Sequence, residues 1–229
     1  MTGIIFETID NILTFCFNSV FFMVARLFKI PATFVIGDSH TGIFKRTYPF
    51  IAYHVGPATA YGISKENSTT NSRKKIEKII RIILKNDNVI LLFGEIDCRI
   101  HIYNQFKKNK ENISIKEIIN RILDSYFVIL QEIKSKSQKV YVCGVPPAGW
   151  QKNIFNYPYY GNEKTRSEIN KEFNRELKKE CEKNNIIPID IHSNFSDENG
   201  MMLKHYTDDN VHLNKNALPI IKTLLGIVC

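Results

Sequence analysis

After residue 32 the chain alternates short, continuous apolar runs with longer segments that carry one apolar stripe at helical spacing. Continuous apolar runs of this length are typical of strands that are covered on both faces. The predicted strands are 33–36, 89–93, 139–143 and 186–190, with a further apolar segment at 48–55. The predicted helices are 72–85, 114–135, 165–184 and 215–225. The alternation predicts an α/β domain with a mostly parallel sheet and helices on both faces.

The first predicted strand runs into Gly37-Asp38-Ser39-His40, where a helix begins. A serine at a strand-to-helix turn can project its hydroxyl from the carboxyl end of the sheet. The unpaired N–H groups of the helix start can then stabilise a developing oxyanion. The alternative is that Asp38 or Ser39 only caps the helix.

A late segment, Asp209-Asn210-Val211-His212, supplies what a nucleophilic serine needs. Serine requires a neighbouring base, and the base requires a partner that fixes its tautomer. The three-residue spacing can place Asp209 and His212 on one side of a turn, with His212 facing Ser39. The sequence therefore predicts Ser39, Asp209 and His212 as catalytic residues.

A block of ionisable residues follows the strand predicted at 89–93. An open α/β sheet has its ligand crevice at the carboxyl ends of its strands, so these residues are candidates for substrate binding. An ion-pair cluster that braces the loops is the alternative, and the two are compatible. The candidates in this block are Gly94, Glu95, Asp97, Arg99 and His101.

Four further positions belong to the predicted site. Gly56 has no side chain, so a ligand can approach its N–H closely, although a plain turn is the alternative. Asp38, His40 and His54 are added as candidate substrate-binding residues because they lie at strand ends. His40 directly follows Ser39, so its ring is not expected to face the Ser39 hydroxyl.

Composition limits the remaining classes of function. The formal net charge is +8, but the basic residues lie mostly on helix faces and no nucleic-acid-binding motif occurs, so no nucleic-acid partner is predicted. Five cysteines are scattered without zinc spacing, which predicts free thiols in a reducing, cytoplasmic compartment. No glycine-rich phosphate loop is present. No metal and no cofactor are predicted.

Residues 1–28 are treated as a separate N-terminal element, and residues 29–229 as the domain. The apolar part, 12–25, is short for a bilayer span, and acidic rather than basic residues precede it, unlike in a signal peptide. Two interpretations remain open. The segment is either a helix that packs on the domain or in a homo-oligomer interface, or a helix that contacts a membrane surface peripherally.

The ordered blocks GDSH, Gly94-Glu95-Ile96-Asp97 and Asp209–His212 resemble those of the SGNH or GDSL hydrolases. The resemblance covers nearly everything from Thr33 onward and implies a flavodoxin-like, three-layer α/β/α fold and ester chemistry. It also implies that Ser39 is the nucleophile and an oxyanion donor, that Gly56 is a second donor, and that Asp209 and His212 are acid and base. The family usually has Asn where this chain has Ile96, and Ile cannot donate.

The predicted function is a serine-dependent ester hydrolase that acts through an acyl-enzyme on an acyl (acetyl) ester of a carbohydrate or related small molecule. Two alternatives stay open: an O-acyltransferase that uses the same triad on a glycan, and a non-catalytic glycan-binding module. The aromatic segment 148–164 is either a lid or sugar-stacking wall, or a cover for the core.

Overall fold

A computed structural model describes residues 2–68, 70–150 and 157–227, with side chains from residue 9 onward. Its centre is a five-stranded sheet in the order β2-β1-β3-β4-β5. Every pair of neighbouring strands is parallel. The strands are β1 Thr33–Gly37, β2 Phe50–His54, β3 Asn88–Leu92, β4 Lys139–Cys143 and β5 Ile187–Ile189.

Helices cover both faces of this sheet, so the domain is a three-layer α/β/α sandwich. The α-helices are α1 Thr2–Leu27, α2 Ser72–Ile80, α3 Tyr103–Lys108, α4 Ile115–Lys136, α5 Glu163–Lys183, α6 Ile191–Phe195 and α7 Leu218–Leu224. The segments Ser39–Phe44, Lys204–Tyr206 and Lys215–Ala217 are 3₁₀-helical, and Asp97–Ile102 is π-helical.

Alternate strand residues divide the apolar core between the two faces. Phe34 and Ile36 of β1 pack with α2, α4 and α5, whereas Val35 packs with Ser39–Phe44, α6 and α7. Because both faces are covered, the strands are continuously apolar, which is the pattern that predicted them.

The strand register brings the segments that follow β1, β2 and β3 to the same edge of the sheet. Gly37 at the end of β1 pairs with His54 of β2 on one side and with Leu92 of β3 on the other. Ser39 is two residues beyond Gly37, Gly56 is two residues beyond His54, and Gly94 is two residues beyond Leu92. All three blocks therefore meet at the carboxyl edge of the sheet.

Two predicted helices have different ends in the structure. Helix α2 stops at Ile80 instead of 85, because the Asp87 carboxylate accepts a hydrogen bond from the N–H of Leu84 (2.7 Å) and holds the backbone out of the helix. Leu84, beyond the end of the helix, is exposed. Helix α5 is capped by Asn162, whose side chain accepts from the N–H of Thr165, so the helix begins at Glu163, two residues before its predicted start.

Helix α1 lies against the domain. The side-chain amide of Asn18 donates to the carbonyl of Ala52 in the edge strand β2 (2.8 Å). Arg26 forms an ion pair with the buried Asp87, and Asp10 forms ion pairs with Lys45 and with an arginine next to it. Residues 9–27 are also long and apolar enough to cross a membrane, by length and composition alone.

Candidate active site

The turn after β1 presents Ser39 and buries its neighbours. The Asp38 side chain caps the 3₁₀ segment by accepting from the N–H of His40 (2.9 Å). Asp38 and His40 are buried, whereas Ser39 between them is exposed. Asp38 thus acts as the cap that the sequence offered as an alternative, while Ser39 keeps its hydroxyl at the surface.

Ser39, His212 and Asp209 form one chain of hydrogen bonds. The Nε2 atom of His212 lies 2.7 Å from the Ser39 hydroxyl, across 173 residues of sequence. The Nδ1 atom of the same ring lies 2.6 Å from the Asp209 carboxylate. This is the geometry in which an imidazole can take a proton from serine while a carboxylate fixes the tautomer of the ring.

The backbone around Asp209 keeps its carboxylate charged. Burial raises the pKa of Asp209, but hydrogen bonds from the His212 ring and from the N–H groups of His212 and Val211 outweigh burial and hold the pKa well below its usual range. One Asp209 oxygen accepts both N–H groups (2.8 and 2.9 Å), which leaves the other for the ring. The short Asp-x-x-His spacing allows one carboxylate to bind both the backbone and the ring of the same loop.

His40 joins the nucleophile turn to the loop that carries the base. Its Nδ1 atom lies 2.8 Å from Asp38, and its Nε2 atom lies 3.1 Å from the carbonyl of Val211, which can only accept. Burial alone lowers the pKa of His40, but the Asp38 carboxylate, with smaller contributions from Glu95 and the Val211 carbonyl, raises it to about 9. Because both ring nitrogens are engaged within the protein, Asp38 and His40 position the site and do not face a substrate.

Ser39 and Gly56, the two residues predicted as oxyanion donors, both lie at the carboxyl edge of the sheet. Within the described residues, neither the N–H of Ser39 nor that of Gly56 donates a hydrogen bond. Gly56 has φ +102°, a conformation that favours glycine. The Lys75 ammonium donates to the carbonyl of Val55 (2.9 Å) and so holds the peptide that precedes Gly56. In the sequence, Lys75 belongs to a run of basic residues on one helix, and no local signal marks it as part of the site.

The block after β3 is mainly structural. Glu95 and Arg99 form a buried ion pair (2.6 Å). Asp97 accepts from the N–H groups of Ala60 (2.6 Å) and Tyr61, and thereby braces the loop that follows Gly56. Burial raises the pKa of the Asp97 carboxyl to about 7, although these hydrogen bonds oppose the shift.

The other predicted positions near this block do not join the triad. Gly94 has φ +115°, and a Cβ there would lie 2.7 Å from the Phe173 ring, so glycine is required by packing. His54 is exposed at the end of β2. His101 is half-buried, its pKa is lowered by burial and by the charge of Arg99, and it has no recorded contact with the triad in the described part of the chain. Ile96 is partly exposed.

The aromatic segment contributes one wall of the site. The Tyr157 ring lies edge-on to the His212 ring, with centroids 5.4 Å apart, and the Arg99 guanidinium lies 5.5 Å from the centre of the same tyrosine ring. Trp150 instead donates to the carbonyl of Met202 (3.0 Å). Phe155 lies outside the described residues. Tyr157 therefore connects Arg99 to the triad.

The triad opens onto a shallow groove that Ser39 and His212 share with Gly42, Asp208 and Lys215. No cluster of three or more His, Cys, Asp or Glu side chains that could hold a metal occurs in the described ranges. The four cysteines described are free thiols, and Cys98, Cys143 and Cys181 among them are buried.

Comparison with known proteins finds similarity in structure. The sequence matches no family model and no curated protein. A GDSL-like lipase from Bacteroides thetaiotaomicron has a TM-score of 0.56 and 17% identity, over 85% of each chain. An aryl esterase from M. smegmatis has a TM-score of 0.55 and 13% identity, over 86% of this chain and 100% of the other. An acetyl xylan esterase has a TM-score of 0.50 and 15% identity, over 85% of this chain and 98% of the other.

The sheet order and the parallel register define a three-layer α/β/α fold. The structural similarities identify it as the fold of the SGNH or GDSL hydrolases. The fold that the motif resemblance implied is thereby confirmed.

Proposed function

We propose that this chain is a serine ester hydrolase. The proposal depends on one observation, the continuous hydrogen-bond chain from Asp209 through His212 to the exposed hydroxyl of Ser39. A module that only binds ligands has no need for this alignment. The structural neighbours include lipases and esterases, which supports the same class of chemistry.

The proposed reaction uses these groups in turn. The Ser39 oxygen attacks the ester carbonyl while His212 Nε2 takes the hydroxyl proton. The N–H groups of Ser39 and Gly56 stabilise the negative oxygen of the tetrahedral intermediate. The intermediate collapses, the alcohol leaves with the proton from His212, and an acyl-Ser39 ester remains. Water then attacks this ester with His212 again as base, which releases the acid and restores Ser39.

We further propose that the substrate is a small acyl ester of a carbohydrate. Ser39 lies on an open groove rather than at the bottom of a deep apolar pocket. An open groove accommodates a bulky polar alcohol, whereas a long acyl chain needs an enclosed apolar channel. An acetyl xylan esterase among the structural neighbours is consistent with this class.

The test is hydrolysis of 4-nitrophenyl acetate together with labelling by a fluorophosphonate probe. Wild type should hydrolyse the ester and become labelled, and Ser39→Ala should do neither. Ser68→Ala, a change of another serine far along the chain, serves as the matched control and should behave as wild type. Equal labelling of wild type and Ser39→Ala would remove Ser39 from its role.

A further inference from the structure

A small polar pocket beside the triad is lined by Glu95 and Arg166, and each of these side chains has polar atoms without a hydrogen-bond partner among the described residues. Arg166 is only 2% exposed, and its Nε and Nη2 atoms have no hydrogen-bond partner within the ranges that the structure describes. The Oε2 atom of Glu95 is also buried without a partner in the described part of the chain. Both side chains line the same pocket, together with Arg99, Asn170 and Val211. Buried polar atoms normally have partners, so this coincidence requires an explanation.

The pocket is held rigidly. The Arg166 guanidinium lies 5.0 Å from the centre of the Tyr159 ring. The other oxygen of Glu95 is occupied by Arg99, which also donates to the carbonyl of Pro158 (2.5 Å). Asn170 donates to the carbonyl of Pro146 (2.9 Å). The unpartnered atoms are therefore fixed in place before any ligand arrives.

The size and polarity of this pocket limit which chemical group it can bind. The pocket has room for about one water-sized group. That group must accept a hydrogen bond from Arg166 and donate one to Glu95. A hydroxyl does both, whereas a carboxylate oxygen cannot donate and would be repelled by Glu95.

We propose that this pocket binds one hydroxyl group of the substrate alcohol, and that water occupies it otherwise. Its position supports this role, because Val211 lines the pocket and immediately precedes His212, while Tyr157 lies between Arg99 and the His212 ring. The inference rests on the proposed ester hydrolysis and adds to it a subsite for a polyhydroxylated alcohol.

Kinetics with two substrates test the subsite. Arg166→Met should lower kcat/KM for mono-O-acetylated methyl glucosides about 10- to 100-fold more than for 4-nitrophenyl acetate, mainly through KM, because a site built for a hydroxyl loses its donor. Arg166→Lys should recover part of the difference. Lys164→Gln, an exposed charge change on the same helix, is the matched control. Equal losses on both substrates would assign Arg166 a purely structural role and overturn the proposal.

A structure of Ser39→Ala with a bound methyl glucoside acetate gives a second measurement that needs neither turnover nor an Arg166 variant. A sugar oxygen within hydrogen-bond distance of both Glu95 Oε2 and Arg166 supports the subsite. Sugar bound elsewhere, with only water between the two side chains, overturns it. If wild type shows no esterase activity but the sugar oxygen is present, the proposed hydrolysis fails and the subsite stands.

A second, independent observation concerns the outer face of helix α1. The side chains opposite the docked Asn18 are exposed and apolar, with spacings that alternate between four and three residues. Met23 and Leu27 are 68% and 75% exposed. This stripe consists of Ile9, Leu13, Cys16, Val20, Met23 and Leu27. Alternating spacing of this kind forms the seam along which two helices pair.

The charges of α1 favour a protein partner over a lipid surface. A helix that lies on a membrane usually carries many Lys or Arg residues on its polar face. Between residues 9 and 27 the only charged residues are Asp10 and Arg26, and both are in ion pairs with the domain. We propose that the stripe pairs with the same stripe of a second copy of this chain.

Sedimentation velocity of the full chain tests this pairing. Wild type should form a dimer, and the double variant Val20→Glu/Met23→Glu should be a monomer with an unchanged circular dichroism spectrum. Phe15→Glu, an equally exposed change outside the stripe, should remain dimeric. A monomeric wild type overturns the proposal, as does a wild type that floats with phosphatidylglycerol–phosphatidylcholine vesicles as a monomer.

Discussion

The ring centre of His40 lies 4.6 Å from the ring centre of His212. The His40 ring is buried and hydrogen-bonded at both nitrogens, whereas the His212 ring connects Asp209 to Ser39. Through its contact with the carbonyl of Val211, His40 also holds the loop that carries His212. The triad is therefore positioned by an ion pair that does not touch the substrate.

This arrangement predicts a pH dependence of stability. The pKa of His40 is raised from 6.5 to about 9 in the folded protein, so its contribution is fully present below pH 6.5 and is lost as the pH rises through 9. The contribution is about 3 kcal/mol. The free energy of unfolding, measured by urea denaturation, should fall across this range in wild type and much less in His40→Gln. His205→Gln, at an exposed histidine, should retain the wild-type slope; an unchanged slope in His40→Gln would contradict the ion pair.

Asp209→Asn tests the orientation of the base. The change removes the acceptor that fixes the tautomer of His212 and should lower kcat by about 10³- to 10⁴-fold, with a small change in KM. Stopped assays with 4-nitrophenyl acetate measure this loss. Asp124→Asn, at an exposed carboxylate on α4, is the matched control and should lose little activity. Comparable losses in both variants would show that the effect is not specific to the triad.

Lys75→Met tests the support of the second oxyanion donor. Without the ammonium, the carbonyl of Val55 loses its hydrogen bond and the N–H of Gly56 becomes less well aligned. We expect kcat to fall roughly tenfold, less than for complete loss of a donor, with little change in the melting temperature. Lys74→Met, at the exposed neighbouring position, should have no effect on kcat. A wild-type kcat in Lys75→Met would mean that Gly56 is held by other contacts.

Ile96→Asn tests whether the site lacks a third donor. Asparagine at this position would add a side-chain N–H group, and each well-placed donor contributes about 100-fold or more to the rate. We therefore expect kcat to increase by about 10-fold or more in an ester hydrolysis assay. Ile96→Leu should leave kcat unchanged. If Ile96→Asn is folded and no faster, another group already supplies that stabilisation.

The elements that could be predicted from the sequence are those specified by patterns of adjacent residues. The strand 139–143 has the predicted bounds, and helix α4, which the Ser114 side chain caps, spans 115–136 where 114–135 was predicted. These predictions succeed because burial on both faces and helix capping depend on adjacent residues. The predicted end of helix α2 was wrong, because Arg26, 56 residues away, binds the carbonyl of Ile82, and no local pattern encodes that contact.

Local patterns were sufficient to predict the fold class and the residue types of the triad, because strand periodicity and strand-end motifs depend on neighbouring residues. Which polar side chains face the site depended on the folded chain. It brought His40 to Val211, 171 residues away, and Lys75 to Val55, and it placed Glu95 and Arg166 on one pocket. Such contacts depend on where whole helices and loops dock, and docking is set by packing of the complete core rather than by the spacing of neighbouring residues.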